Sequence, residues 1–287
     1  MRPETLRTAV EVMLELAREA GNLAVERVAQ ATIMTKTDGA DFKDPFAARA
    51  KNLFSSVDLE CQQLILRRLA ACFPEHGLTA EEEGVDQPSA EGPGGPRWVI
   101  DPIDGTFYHL LNNPDFYAFE RRRDILAKFD HEDLKKQFGV SLALIEGQRM
   151  LAGAVNFPRL SLLYHAVDTE GVWCNGLPLV LPSSAPDTLV LSRSLPELLR
   201  RRVQNPQISL NSVTSFRKIL KGEVSAYVVP QPYFYDIAGG IALLLGAGGV
   251  VLQLDGTPLD FQVRRCPQIL IAARDLKIFH RVRDLLT

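Results

Sequence analysis

Cysteine is scarce in this chain. The four residues, Cys61, Cys72, Cys174 and Cys266, stand far apart, with no CxxC pair. That spacing excludes zinc-finger patterns and leaves reduced, mostly buried thiols as the expectation. An excess of either charge is also missing, since 32 Lys and Arg face 35 Asp and Glu for a formal net charge of -3. Without a basic surplus there is no overall nucleic-acid footprint, so no nucleic-acid partner is expected. Long apolar runs are absent as well. No stretch approaches the roughly 20 apolar residues of a membrane helix, and the N-terminus lacks the apolar core of a signal peptide. No membrane association and a cytoplasmic location follow as expectations. No fixed-period repeat is present. What remains is ordinary for a soluble globular protein: 287 residues, 46% hydrophobic and 23% charged, enough to bury about three quarters of the unfolded surface.

Apolar residues at helical spacing (Leu6, Val10, Met13, Leu14, Ala17, Leu23, Ala24, Val28) predict an amphipathic helix over 4–28. A polar loop from Thr35 to Lys51 follows, then a helix over 58–73 and a strand over 77–80 that ends at Glu81-Glu82-Glu83. After a Gly/Pro-rich loop, Trp98-Val99-Ile100 reads as the end of a buried strand. The charged segment 112–137, containing Arg121-Arg122-Arg123, reads as a solvated helical insertion. From Phe138 short apolar runs alternate with turn signals at Glu146-Gly147, Asp168 to Gly171 and Asn175-Gly176, which predicts a β-meander. Helices are expected at 196–203, 213–221, 236–245 and from 276, with strands at 224–229, 249–252 and 268–272. Helices between strands imply a layered α+β architecture. It is expected as one domain over 1–287, with halves of about 1–157 and 158–287.

The densest chemistry is Asp101-Pro-Ile-Asp-Gly-Thr106. Pro102 and Gly105 are turn residues, so Asp101 and Asp104 would project at the carboxyl end of a strand, where hard cations find oxygen ligands. The N-H groups of Gly105 and Thr106 would open a helix whose positive end suits phosphate. A plain surface turn that caps a helix is the competing reading. The Asp-Gly-Thr string also resembles haloacid-dehalogenase-type phosphatases, but their nucleophilic Asp lies two residues before the second Asp, where this chain has Pro102. An aspartyl-phosphate mechanism is therefore disfavoured.

Further acids stand at matching element ends: Glu81 after a strand, 20 residues before Asp101, and Asp236 after Tyr233-Phe-Tyr235. The strings "AEE", "DPIDGT" and "YDIAGG", in order and in register, resemble the inositol monophosphatase family. That family belongs to the superfamily that also contains fructose-1,6-bisphosphatases. "NLFSSVD", ending at Asp58, and "AGGVVLQLDGTPLDF" extend the likeness over nearly the whole chain. The resemblance implies a layered α-β-α-β-α sandwich and a metal-dependent, lithium-sensitive phosphomonoesterase using two or three Mg2+. It implies that Glu81, Asp101 and the Ile103 carbonyl hold one ion, and Asp101, Asp104 and Asp236 a second. Thr106, oriented by Asp58 and assisted by Glu81, would position and deprotonate the attacking water. Gly105 and Thr106 would bind phosphate, without a phosphoenzyme. Lys36 in the polar loop, Asn211 and Ser212 are candidate substrate or loop contacts. A homodimer is expected by analogy, and a small phosphorylated molecule as the partner.

Several residues carry blander readings. Glu82 and Glu83 are expected to be solvated acids, Arg121 to Arg123 an exposed helix face, and His109 a packing or surface residue. Departures from the family pattern cluster at substrate positions. Phe107-Tyr108-His109 replaces the usual polar continuation, Val229 stands where a hydroxyl-binding glutamate is expected, Leu210-Asn211-Ser212 replaces Gly-[Thr/Ser]-Ala, and Tyr235 replaces Trp. The 112–137 segment is about twenty residues longer than the family's connection, a length more typical of functional insertions than of plain loops. The substrate therefore need not be inositol phosphate. A sugar, polyol or other small phosphomonoester leads. A 3'-phosphoadenosine 5'-phosphate-type nucleotidase ranks lower, because the Lys-Glu of that group is missing, and a non-catalytic metal-binding scaffold is the rival from another class.

Overall fold

Pro3 stands at the first position of α1 (Pro3–Arg27), where its missing N-H costs no helical bond. Ala9, Met13, Leu16, Ala17, Ala20 and Ala24 bury one stripe of this helix. The computed structural model describes residues 1–35, 53–92, 94–116, 132–184 and 186–287. Lys36, most of the polar loop, and Arg121 to Arg123 lie outside the described residues.

After α1 come β1 (Ile33–Thr35), β2 (Leu53–Ser55), α2 (Ser56–Cys72), β3 (Gly77–Ala80), β4 (Asp86–Gln87), β5 (Pro96–Asp104) and the single turn α3 (Thr106–Leu110). The meander follows as β6 (Gly139–Glu146), β7 (Arg149–Phe157), β8 (Leu162–Val167), β9 (Gly171–Cys174) and β10 (Leu177–Pro178). At its tip Asn175 and Gly176 both take positive φ, 50° and 79°, as a two-residue hairpin turn of the predicted kind requires. The C-terminal part holds β11 (Leu189–Leu191), α4 (Glu197–Arg200), β12 (Gln207–Ile208), α5 (Ser212–Leu220), β13 (Ala226–Pro230), α6 (Phe234–Gly246), β14 (Val250–Gln253), β15 (Ile269–Ala273) and α7 (Leu276–Leu286).

Among the described residues the strands form three sheets: a small β1-β2 pair, an eight-stranded one in the order β10-β9-β8-β7-β6-β5-β3-β4 and a five-stranded one in the order β12-β11-β13-β15-β14. The change between the two large sheets falls between Pro178 and Leu189. Period-two alternation shares β5 between two cores. Trp98 and Ile100 join α1 and α2 on one face. Val99, with Ala143 and Ile145, packs against Phe216 and Ile219 of α5 and Ile237 and Ile241 of α6. The same middle core contains Tyr227, Val229 and Leu270 of the five-stranded sheet. Ala226, Val228 and Ile271 face the other way, onto Phe279, Val282 and Leu286 of α7. The result is the expected α-β-α-β-α sandwich. The glycines of "YDIAGG" make its middle layer thin, because a Cβ on Gly240 would overlap the Phe216 ring.

Three expectations change. β5 does not stop at Ile100; it runs on to Asp104 with a register irregularity between Asp101 and Asp104, since Pro102 removes only one ladder donor and fits such a break. β11 and β12, unassigned from sequence, pair in parallel. The entry to the 112–137 segment is not a solvated helix face, because Phe116 is fully buried edge-on to Phe107.

A segment after β14 ties the halves together. Asp260 accepts from Gln148 Nε2 at 2.5 Å and the Phe261 carbonyl from Arg97 Nη2 at 2.8 Å. Gln262 Nε2 donates to the Gly147 carbonyl at 2.6 Å.

Candidate active site

Parallel pairing of β3 with β5 aligns Ala80 with Ile100, so Glu81, just past the end of β3, and Asp101, within β5, emerge side by side where this pairing stops. Glu81 N donates to the Ile100 carbonyl at 3.2 Å, holding this alignment one step further. Asp101 is 1% exposed, and its Oδ1 accepts from Ile103 N at 3.1 Å. Asp236 arrives in the first turn of α6. Ligand oxygens of Glu81, Asp101 and Asp236 lie within 4.8 Å of one another. Burial, then the neighbouring Glu81, Asp104 and Asp236, hold the Asp101 carboxyl well above the usual range.

Asp104 stands apart from that trio. Its Oδ2 accepts from Val213 N at 2.6 Å, at the start of α5. Burial and Asp236 still raise its pKa, against the lowering effect of Val213 N-H. A partly buried group of carboxylates this dense, with Asp101 fully buried at its centre, is unfavourable as it stands and is chemically matched to a hard divalent cation.

Beside the trio, Thr106 Oγ1 donates to Asp58 Oδ1 at 2.9 Å or to the Ile103 carbonyl at 3.2 Å. Asp58 is fixed in turn: its Oδ2 accepts from Ser55 N at 2.9 Å and from Ser55 Oγ at 2.6 Å. Burial raises its carboxyl from 3.8 to about 6, opposed by the hydrogen bonds from Ser55 and Thr106. Ser55 has a local sequence signal, since Ser55-x-x-Asp58 has capping-box spacing and forms that box at the start of α2.

Gly105 takes φ 93°, ψ 38°, a conformation costly for any residue with a Cβ. A Cβ there would also overlap the Asn211 side-chain amide and lie 3.0 Å from the Gln137 carbonyl. Asn211 has its own duties: Nδ2 donates to the Gln137 carbonyl at 2.5 Å, and Oδ1 caps α5 by accepting from Thr214 N at 2.9 Å. Gly105→Ala is therefore expected to lower unfolding free energy by about 1–3 kcal/mol and to cut turnover further by displacing Thr106. Thermal melts and phosphate release would check this, and unchanged turnover would contradict it.

Other sequence candidates fall differently. Ser212 is buried, with Oγ 3.5 Å from the Tyr227 hydroxyl, next to Asp104's anchor at Val213. Glu82 is 2% exposed, which corrects the expectation of a solvated acid. Gln62 holds its backbone in place, donating from Nε2 to its carbonyl at 2.6 Å and accepting from its N-H at 2.9 Å. His109 is a packing residue: Nε2 donates to the Ala24 carbonyl at 2.8 Å, and burial lowers its pKa to about 4. Val229 is buried among apolar neighbours. One pairing had no sequence signal. The Tyr108 hydroxyl, pushed up to about 12 by burial, shares a hydrogen bond with Arg193, which acts to lower it.

An α-β-α-β-α sandwich that gathers acids from two adjacent strands and one helix start offers a candidate metal site, and the family match makes the chain a phosphoric monoester hydrolase. The chain belongs to the inositol monophosphatase family, whose sequence profile matches residues 5–276. It is 23% identical over 286 residues to inositol monophosphatase 2 of Rattus norvegicus, covering 93% of this chain and 87% of that protein. It is 24% identical over 258 residues to the fructose-1,6-bisphosphatase/inositol-1-monophosphatase of Thermotoga maritima, covering 86% and 85%. Among solved structures it superposes on an IMPase/NADP phosphatase complexed with Mg2+ and phosphate. There the TM-score is 0.75 and the identity 20%, over 99% of this chain and 96% of the other. No helix among the described residues is long and apolar enough to cross a membrane.

Proposed function

We propose that this protein hydrolyses a small phosphomonoester, of the sugar, polyol or inositol phosphate class, by direct attack of water with Mg2+ as the metal. The observation that carries the reading is the meeting of Glu81, Asp101 and Asp236 within 4.8 Å beside the Thr106–Asp58 hydrogen bond. An all-oxygen donor set suits Mg2+. Glu81, Asp101 and the Ile103 carbonyl would hold one ion, and Asp101, Asp104 and Asp236 another. When bound, the metal would neutralise phosphoryl charge and make water a better nucleophile.

The chain's own groups supply the rest. Asp58 Oδ1 and the Ile103 carbonyl both accept from the Thr106 hydroxyl, so its hydrogen is committed and its oxygen lone pairs are left to orient a water. Ionised Asp58 keeps that arrangement and can take up the proton through Thr106. Gly105 and Thr106 N-H groups would hold phosphate oxygens. Glu81 would assist in aligning the water.

Substrate choice falls to the changed positions. Val229 offers no acceptor for a ring hydroxyl, which argues against strict inositol selectivity. A panel of inositol, sugar and polyol phosphates together with 3'-phosphoadenosine 5'-phosphate, assayed for phosphate release with and without Mg2+, tests the proposal. Asp101→Asn is the control. Mg2+-dependent turnover of at least one small phosphomonoester is expected. Turnover of the nucleotide alone would favour the nucleotidase, and turnover of none would favour a scaffold.

A further inference from the structure

Glu81 and Asp236 come from different halves of the chain, so something must set the distance between β3 and α6. The segment that crosses between the halves supplies a side chain at that place. Arg264 Nη2 donates to the Ala80 carbonyl at 3.3 Å, 184 positions away and immediately before Glu81. Its own carbonyl accepts from Phe234 N at 2.8 Å, the first residue of α6, two before Asp236. Its guanidinium lies over the Tyr235 ring, 5.5 Å from the centroid. Tyr235 stacks on Tyr233 at 5.1 Å and 6°, and Arg265 lies over Tyr233 at 5.2 Å. The two tyrosines are thus braced by an arginine at each, and the neighbouring backbones are tied by an antiparallel bridge between Tyr233 and Arg265.

We propose that Arg264 is a positioning residue for the metal centre, its main-chain carbonyl tethering it to the start of α6 while its guanidinium fixes Glu81 against Asp236 through the Ala80 carbonyl and the Tyr235 ring. A planar guanidinium suits this task because it can lie on a ring and donate in its own plane at once. Groups that orient metal ligands without touching the metal commonly govern affinity by 10–100-fold. The inference rests on the reading of the acidic cluster as a Mg2+ site.

The test compares Arg264→Met, Arg264→Lys and Arg97→Met with the wild type. Calorimetric Mg2+ titration is run alongside thermal melts and kinetics on the best substrate of the panel. Arg97 is the control because it also binds the crossing segment, at the Phe261 carbonyl, away from the acids. Arg264→Met is expected to weaken Mg2+ binding about tenfold or more, with the substrate KM at saturating Mg2+ changed less than about threefold. Arg264→Lys, which keeps the charge but loses the planar fork, should fall between, at about threefold, and it serves alone if the Met variant does not fold. Arg97→Met should lower thermal stability and leave Mg2+ binding unchanged. Equal Mg2+ affinity in wild type and both Arg264 variants overturns the inference. A wild type that neither binds Mg2+ nor releases phosphate overturns the proposed function first, and the inference with it.

Discussion

Asp101→Asn is expected to lower turnover by about 10^3-fold or more while making the metal-free protein more stable. Asp101 belongs to both proposed ion sites, so its loss weakens each. A fall of 10^3 corresponds to only about 4 kcal/mol of transition-state stabilisation, within reach of one bridging ligand. The stability gain comes from the opposite side of the same geometry. Three acids with oxygens inside 4.8 Å repel one another, and the burial of Asp101 removes the water that would screen its charge. Two unit charges 4 Å apart interact by about 4 kcal/mol at an effective dielectric constant near 20. Sharing a proton relieves part of that, so a gain of about 1–3 kcal/mol is expected, seen as a melting temperature a few degrees higher without Mg2+. Adding Mg2+ should then raise the wild-type melting temperature strongly and that of Asp101→Asn weakly. Melts with and without Mg2+ beside phosphate release check both halves. A variant that melts lower than wild type in the absence of metal would contradict the account, because the acids would then be stabilising the fold and not straining it.

Much of this site can be read in the string because its parts are local. Pro102 and Gly105 mark where the backbone changes course, and a strand ending at Ala80 places Glu81 at a tip. A hairpin at Asn175-Gly176 needs only those two residues. The hidden features depend on partners remote in sequence. Leu189-Val-Leu191 is three residues in a Ser- and Pro-rich stretch, and its strand character comes from lying between β12 and β13. Glu82 reads as one of three surface acids until Gln62, twenty positions earlier, is seen gripping its backbone. Asn211 reads only as a substrate or loop contact, and the string does not show that its side chain spans the Gln137 carbonyl and the cap of α5 and leaves room only for a glycine at 105. Arg264 has no local motif, since its contact lies 184 positions away. Carboxylates must announce themselves at element ends because they need a turn to project from. Ser55 is legible because its capping box with Asp58 is local, whereas Arg264 and Gln62 need no particular neighbours in sequence, and the pattern does not reveal them.

The Thr106–Asp58 pair carries the second large expected effect, and pH separates its role from that of the metal ligands. Thr106→Val keeps the shape and removes the hydroxyl, so turnover should drop by about 10^2–10^4, the usual range for one acid-base group. Thr106→Ser should retain most activity. Asp58→Asn should fall comparably. Asp58 is raised from 3.8 to about 6 by burial, so above about pH 6 it is ionised and accepts from Thr106. Below that it is protonated and competes for the same hydrogen-bonding geometry. Wild-type kcat at saturating Mg2+ should therefore decline as pH falls through about 6, and the residual kcat of Asp58→Asn should lack this limb. The linkage has a stability counterpart of definite sign. A carboxyl raised on folding contributes stability that is complete below its unfolded value of about 3.8 and is lost as pH rises through about 6. At pH 8 the wild type bears the cost of a buried carboxylate and Asp58→Asn does not, so the variant should melt at an equal or higher temperature there, with the advantage gone by pH 4. An acid limb that survives in Asp58→Asn would assign it to the metal ligands. A variant less stable than wild type at pH 8 would mean that the Ser55 hydrogen bonds outweigh the burial of the charge.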